Sequence, residues 1–529
     1  MESNASLWSK SATSPTFPPL MASAEVDVVV VGAGITGLTA AMLLAASGQR
    51  VIVVEARRVG CGVSHRSTTH LTEAVDTRYH QIASDFGKEG AKLVATSSRA
   101  AIEKIASFVQ DLSLPCDLVR RPGFLFAEKG PNAESDRAML QKELEAARQA
   151  GIPVELLDEA PLPFATVGAL RFPDQAQMHI MRYLGGLAAA AQAKGAQIYE
   201  DSRVTTVEDG EPCTVHLEHG PTIRAKKVFV ATHAPLNRVF LQTKVAAYRS
   251  YVLAFPNAPT IDGLFWDTAD PYHYFSAYAV DGVPYLVLGG EDHKTGTAEA
   301  TDERYDVLHA WTKQRFTVEA PSYRWSAQVE EPVDGLPFIG RNSLSEHVYV
   351  ATGFSGNGTT FGTIAAMIVT DLVNGRANPW ADLYAATRIK PVSSAGTYLH
   401  ENIDFPMHLV SDWMHPPEAK SPAEIRPGEG KTIRMKGERL AVYRDPSGCL
   451  HAVSSVCTHL GCLVKFNGAE KTWDCPCHGS RFGVDGAVLD GPATRPLAKK
   501  DIGPSRHDSG TVDAATAAGG SERDRKEAE

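Results

Sequence analysis

Basic charge is what this sequence lacks. Its 529 residues carry 52 Lys and Arg against 62 Asp and Glu, a formal net charge of −10. A nucleic-acid binder normally presents a basic face, so no nucleic-acid partner is expected; the balance predicts an acidic, soluble surface. A membrane-spanning run is missing as well. The longest apolar stretch, Val26 to Ala46, is interrupted by Gly32, Gly34 and Gly37 and changes period midway. It reads as strand, turn and helix rather than as a span. Residues 1–24 contain no arginine and no long apolar run, and Glu2, Pro15, Pro18 and Pro19 spoil a secretory signal. They are expected to form a disordered tail, with Met21 a second candidate start just before the first strand. Residues 506–529 are expected to be a second polar tail. With neither signal nor integral membrane segment, the sequence predicts a cytoplasmic protein.

Cysteine is sparse and unevenly spread. Cys61, Cys116 and Cys213 stand alone, whereas Cys449, Cys457, Cys462, Cys475 and Cys477 crowd one short segment. A secreted disulfide scaffold would distribute them; crowding beside histidines points to metal. The hydrophobic content of 43% and charged content of 22% are those of an ordinary folded chain. The length implies two or three domains.

The segment VDVVVVGAGITGLTAAMLLAASG reads as a buried strand, a tight turn and a helix. Gly32 permits the turn, Gly34 lets backbone approach a pyrophosphate, and Gly37 allows close helix–strand packing. The helix N-terminus then stabilises phosphate charge. A second apolar run, VIVVE, ends in Glu55. Its carboxylate follows the glycines by about 20 residues, the distance suited to ribose hydroxyls. Strand, helix and acid together predict a dinucleotide site; the bland alternative is a plain βαβ unit.

Later segments choose the dinucleotide. KKVFVATHAPL (226–236) is an apolar strand, and DGLPFIG (334–340) precedes HVYVATGFSGNGTTFGTIAAMIVTDLV (347–373), a strand, glycine-rich turn and long helix. In this order the motifs resemble the FAD-dependent oxidoreductase family that includes D-amino acid, glycine and sarcosine oxidases, over roughly residues 25–390. The resemblance implies an α/β Rossmann-like FAD-binding domain (about 25–95, 176–240 and 331–390) with an α+β substrate domain inserted (about 96–175 and 241–330). It implies FAD contacts from Gly32, Gly34, Ile35, Thr36, Gly37, Glu55, Ala56, Arg57, Val204 and Thr232. It also implies contacts from the late turn: Gly353, Phe354, Ser355, Gly356, Asn357 and Gly358. The segment ARRVGCGVSHRSTTHLT (56–72) stands where the family has a glycine- and serine-rich loop against the flavin, which nominates Ser64, Ser67 and Thr68 and makes His65 and Arg66 pocket candidates. Some relatives attach FAD to a histidine in this loop, but the residues around His65 differ from theirs.

The substrate domain is helical by pattern in its first part and strand-like in its second. PYHYFS contributes His273 and Tyr274 as pocket candidates, or as ordinary packing. Amino-acid oxidases of the family clamp a substrate carboxylate with an arginine just before the segment matching DGLPFIG. Here the chain reads Trp325-Ser326-Ala327-Gln328-Val329-Glu330-Glu331, with Arg324 in another register. An arginine fork suits a carboxylate; Glu330 would repel one. The expected small-molecule substrate is therefore an amine, unless both glutamates are merely surface acids.

CTHLGC (457–462) and CPCHGS (475–480) hold the strongest signal. Cys-x-His followed by Cys-x-x-His offers two thiolates, Cys457 and Cys475, and two imidazoles, His459 and His478. Such a set suits tetrahedral zinc or a [2Fe–2S] cluster with two histidine ligands on one iron. The fuller pattern resembles Rieske proteins, which implies a small all-β domain over 421–505 joined by a linker over 391–420. The resemblance further implies a Cys462–Cys477 disulfide bridging the two loops, a Ser480 hydroxyl toward a cluster sulfur, and Pro492 in a covering loop. Phe482 stands where respiratory Rieske proteins have tyrosine. The expected potential therefore lies in the upper part of the range of about −150 to +300 mV but below the respiratory maximum.

Both halves in this order also resemble bacterial fusion proteins of an FAD oxidoreductase with a C-terminal Rieske domain. Joining a two-electron acceptor to a one-electron carrier implies a dehydrogenase that oxidises a C–N bond of an amine or N-substituted amino acid and feeds an external electron acceptor. The alternatives are an oxidase using O2, inward electron flow, or a redox sensor without catalysis. A Rieske oxygenase is not expected: it needs a large domain with a mononuclear iron site after the cluster, and fewer than 55 residues follow His478.

Overall fold

The computed structural model describes residues 5–236, 241–297, 300–389 and 413–502. An eight-stranded sheet forms the first layer. Its order runs Phe338–Arg341, Val348–Thr352, Thr222–Val230, Ala24–Val31, Val51–Val54, Gln197–Tyr199, with Val204–Glu208 and Cys213–Leu217 attached at the side. Ala24–Val31 pairs in parallel with both neighbours. Its alternate side chains enter different cores: Val28 and Val30 join one apolar cluster, Val29 and Val31 another. A strand buried on both faces must be apolar throughout, which is why it reads as an unbroken valine run. Helices Ile35–Ala46, Ile180–Ala193 and Gly358–Val373 pack on the first of these faces.

A second eight-stranded sheet stands over the first. Its order is Tyr323–Pro332, Val245–Pro256, Val283–Lys294, His273–Val280, Leu264–Asp267, Val119–Glu128, Thr166–Gln177, Glu155–Leu157. It is mostly antiparallel. The C-terminal part is all β, a three-stranded sheet (Gly430–Met435, Glu438–Arg444, Leu450–Ser454) beside a four-stranded one between Lys465 and Asp490. Lys436 and Gly437 both take positive φ, 51° and 85°, in the tight turn of the first hairpin; glycine accepts this at little cost.

The N-terminal stretch corrects an expectation. Residues 5–23 are packed on the protein rather than forming a disordered tail. Trp8 is fully buried, its indole N–H donates to the Ser67 carbonyl at 2.7 Å, and its ring meets His179 and Tyr278 edge-on. Phe17 and Leu20 are buried further along, and their amides donate to Glu200 and Ser202. A few spaced anchors hold a segment whose average composition is polar. The expected linker lies mostly outside the described residues, as does the tail over 506–529. Trp413, at its described end, lies 5.9 Å from the Arg439 guanidinium. Among the described residues no helix is long and apolar enough to cross a membrane.

Candidate functional site

A cavity of about 520 Å³ runs between the two sheets. At one end the strand Ala24–Val31 breaks at Gly32, where φ is +104° and an added Cβ would lie 2.6 Å from the Ala231 carbonyl oxygen. A Cβ on Gly37 would lie 1.9 Å from the Gly32 oxygen, so Gly37 serves packing and does not line the cavity. Gly34, Ile35 and Thr36 line it at the helix N-terminus. Glu55 is nearly buried, and its two oxygens accept from the Ala33 and Arg57 amides at 2.8 and 2.9 Å. It therefore braces the glycine turn as well as facing the cavity. Ala56, Arg57, Val204 and Thr232 complete this end.

The middle is walled by the loop after Arg57 and by the late turn. Ser64 lines the wall and accepts from the Ile35 amide at 3.1 Å; Ser67 and Thr68 follow it. Arg66 also lines it, and its Nε is buried with no hydrogen-bond partner. Phe354, Ser355, Gly356, Asn357 and Gly358 reach the cavity, while Gly353, at φ +74°, shapes the turn behind them. Asn357 pins this turn by accepting from the Asp76 amide at 2.8 Å. A glycine cradle, a helix N-terminus and an orphaned guanidinium N–H together fit the pyrophosphate and polar flavin edge of FAD.

Two pocket candidates fall elsewhere. His65 is buried under the loop, its Nδ1 3.1 Å from the Gly60 carbonyl, and burial lowers it to about 3. His273 lies within 2.8 Å of Asp267 and stacks on Trp311 at 4.3 Å, a packing role. Tyr274 does line the far end, with His70, Trp266 and Tyr272. Neither glutamate is a surface acid: Glu330 is 2% exposed and Glu331 opens onto the cavity.

In the C-terminal module two loops bring the ligand set together. Cys457 and Cys475 are each 2% exposed, and the rings of His459 and His478 are 5.1 Å apart. Hydrogen bonding to Cys475, aided by Ser480, draws the Cys457 thiol down to about 7. Burial lowers His478 to about 4, which keeps its imidazole neutral as a ligand must be. Cys462 and Cys477 are joined in a disulfide with Cα atoms 6.6 Å apart. Their sulfurs are thereby removed from coordination, although they lie close to Cys475. Two thiols and two imidazoles remain, a donor set that fits a Rieske cluster. Pro492 follows a cis peptide bond in the third loop. Phe482 is fully buried in the module's core.

What sequence reasoning missed is that the two halves share one site. Leu489, Asp490, Gly491, Ala493 and Thr494, all from the C-terminal module, line the cavity. On the other side Gly479, next to the candidate ligand His478, packs so closely that a Cβ would lie 2.2 Å from the Ala247 Cβ and 3.0 Å from the Gln328 amide nitrogen. Gln328 itself lines the cavity. A buried ionic cluster locks this seam. Glu470 accepts from Arg249 at 2.7 Å and also from Ser326 and Arg481. Arg481 reaches Asp474 at 3.1 Å and Asp490 at 2.8 Å. Burial alone would raise the Asp490 carboxyl, but Arg481, Arg66, Arg57 and Arg249 hold it well below the usual range.

Residues 27–372 match the FAD dependent oxidoreductase family, and residues 415–501 match the Rieske [2Fe-2S] domain. A Bacillus subtilis protein named YhfW, described as a Rieske 2Fe-2S iron-sulfur protein, is 32% identical over 94% of this chain and 97% of its own. The gamma-glutamylputrescine oxidoreductase of Escherichia coli is 27% identical over 68% of this chain and 86% of its own. Glycine oxidase from Geobacillus kaustophilus superposes on 69% of this chain and 99% of its own, with a TM-score of 0.58 at 20% identity, a likeness of fold. The chain is thus an enzyme of the FAD-dependent oxidoreductase family, binding FAD in its larger part and a [2Fe–2S] cluster in a C-terminal Rieske domain.

Proposed function

We propose that this enzyme oxidises a C–N bond of an amine and releases the electrons one at a time, through its Rieske cluster, to an external acceptor. The observation that carries this reading is the shared wall: Gln328 lines the FAD cavity and touches the backbone beside the cluster ligand His478. When bound, FAD supplies a hydride acceptor and the cluster a one-electron carrier. In the substrate a C–H bond breaks and a C=N bond forms. Two electrons and two protons leave for each imine produced, and two equivalents of a one-electron acceptor are reduced.

The chain's own contribution is placement. The tight Gly479 contact sets the cluster loop against the strand Tyr323–Pro332, and the ionic cluster around Glu470 keeps it there. The name of the gamma-glutamylputrescine relative supports an amine-type substrate. No arginine stands in the register of the family's carboxylate clamp: Arg324 lies over the Tyr305 ring, 5.4 Å from its centroid. The test is anaerobic addition of amines to the purified holoprotein, with visible absorption and EPR recorded together. Flavin bleaching followed by a Rieske EPR signal is the expected result. Bleaching with the cluster still oxidised, and flavin recovery with peroxide release on adding O2, would instead make the protein an oxidase with an accessory cluster.

A further inference from the structure

The far end of the FAD cavity is a chamber of acids and aromatic rings. Asp76 opens onto it and accepts from the Gly356 amide at 2.5 Å. Glu331 lines the same space and accepts from the Ser355 hydroxyl at 2.7 Å. Asp292 stands behind the wall, within electrostatic reach of both; its carboxyl is hydrogen-bonded with Ser250, which lines the cavity, while its Oδ1 is buried with no hydrogen-bond partner. Desolvation raises Asp292 to about 7 and Glu331 to about 8, whose surroundings do not supply the positive charge that such acids need; Asp76, exposed at the cavity surface, is raised as well, with the Gly356 amide and Arg78 drawing it back. Arg78 is the one basic side chain on the wall at this end; Arg57, Arg66 and Arg203 face Asp490 or Glu55 at the other.

The remaining wall suits a cation. Trp266, Tyr272 and Tyr274 line it, the two tyrosine rings 5.5 Å apart, and aromatic faces attract ammonium groups. His70 adds a second, independent sign of a missing ligand. Its Nε2 is buried without a partner on the cavity wall, and burial lowers it to about 3, so the ring is a neutral hydrogen-bonding group rather than a competing cation. At neutral pH the Asp292 and Glu331 carboxyls hold part of their protons, and a cationic group entering beside them favours the ionised form; an amino acid brings a carboxylate that opposes this. A substrate with more cationic than anionic groups does not.

We propose that Asp76, Glu331 and Asp292, walled by Trp266, Tyr272 and Tyr274, form a cation-binding chamber whose substrate class is an aliphatic diamine or polyamine. This rests on the reading of the enzyme as an amine dehydrogenase and narrows it. The test uses full-length holoprotein, 1,4-diaminobutane, spermidine, butylamine, glycine and N-methylglycine. Two measurements are made: anaerobic flavin reduction, and calorimetric binding to the oxidised enzyme. The diamine is expected to half-saturate at a concentration at least about tenfold below that of butylamine, equivalent to about 1.4 kcal/mol. Asp76→Asn and Glu331→Gln are each expected to weaken diamine binding by about tenfold or more, measured per bound flavin because both carboxyls also hold the late turn, with Asp76→Glu restoring part of the loss. Preference for glycine or N-methylglycine, lost in Arg78→Met, would overturn the chamber while leaving C–N oxidation intact. If no amine bleaches the flavin, the dehydrogenase reading fails. Calorimetry then still decides the chamber: diamine binding abolished by Asp76→Asn supports it, and absence of binding overturns it.

Discussion

Glu470→Gln is the sharpest test of how the two domains are held. The Glu470 carboxylate is 1% exposed and serves Arg249, Ser326 and Arg481 at once. Breaking one partner of a buried ion pair costs about 3–5 kcal/mol, because the opposite charge stays buried. Arg481 keeps Asp474 and Asp490, at 3.1 and 2.8 Å. Arg249 keeps the neutral Ser326 hydroxyl and, among described carboxylates, Asp490 at 4.0 Å. The loss therefore falls mainly on Arg249, and the lower end, about 3 kcal/mol, is expected. Since Leu489 to Thr494 wall the FAD cavity, undocking should be read as FAD release. The assay is flavin fluorescence against urea for the native protein, Glu470→Gln, Arg249→Met and the double variant. Each single variant should release FAD at lower urea, with the Rieske EPR signal intact before urea is added. The double variant should lose less than the sum of the singles, with a coupling of about 1–3 kcal/mol. Additive losses, or a cluster lost while FAD release is unchanged, would refute a lock that joins the domains through this pair.

Four other outcomes are expected. Trp8→Ala should cost about 3–5 kcal/mol, the usual penalty for emptying a large buried aromatic site, measured as a drop in the thermal midpoint of the holoprotein. Gly479→Val should slow cluster reduction by substrate about tenfold or more, a barrier of about 1.4 kcal/mol, while dithionite still reduces both cofactors. The cluster potential, from an EPR-monitored titration, should lie high in the range of about −150 to +300 mV but below the respiratory maximum; a value under about −100 mV contradicts the assignment. Diamine binding should strengthen as pH rises through 8. Burial and the neighbouring Asp76, Asp292 and Glu330 keep Glu331 neutral below that point, and it ionises above it. The same shift has a stability consequence of opposite sense: the folded form holds a proton that the unfolded chain has lost, so stability without ligand falls between about pH 4.5 and 8. Calorimetry at pH 6.5 and 8.5 reads the binding effect, and binding that does not change between them counts against it.

Legibility in the sequence followed the range of the interactions. The glycine turn, the valine strand and the two cluster loops are local, with ligands or glycines a few residues apart, so spacing alone announces them. The same holds for the hairpin at Lys436-Gly437. Long-range partners were not visible. Asp490 and Thr494 line a cavity whose glycine turn lies more than 450 residues earlier, and nothing in their neighbourhood marks them. Glu330 and Glu331 were ambiguous for a related reason. They lie on an apolar-flanked strand, and only the pairing of Tyr323–Pro332 with Val245–Pro256 decides which face is buried. The N-terminal tail misled because composition averages over a segment, whereas Trp8, Phe17 and Leu20 act singly. His65 was attractive from its loop, yet its ring turns inward to the Gly60 carbonyl. One signal was available and underused: tryptophan at position 8 is an odd residue for a free polar tail.

The placement of Gly479 bears on how such an enzyme works. A Rieske domain on a free tether would need a polar, separable contact face. Here Arg249 and Arg481 are at most 1% exposed, and two glycines, Gly296 and Gly479, sit where any side chain would force the domains apart. Gly296 lies against Cys475 and Pro476, and Gly479 against Ala247 and Gln328, so both close contacts involve the cluster-ligand loop. Glycine at such positions loses chain entropy on folding, a cost that serves nothing unless close approach itself matters. The close contact lies beside His478, on strands that also wall the FAD cavity, so under the proposed function the electron path is a fixed one. The covering loop meanwhile places Asp490 among the arginines of the FAD cavity, so loss of docking should disturb both cofactors together.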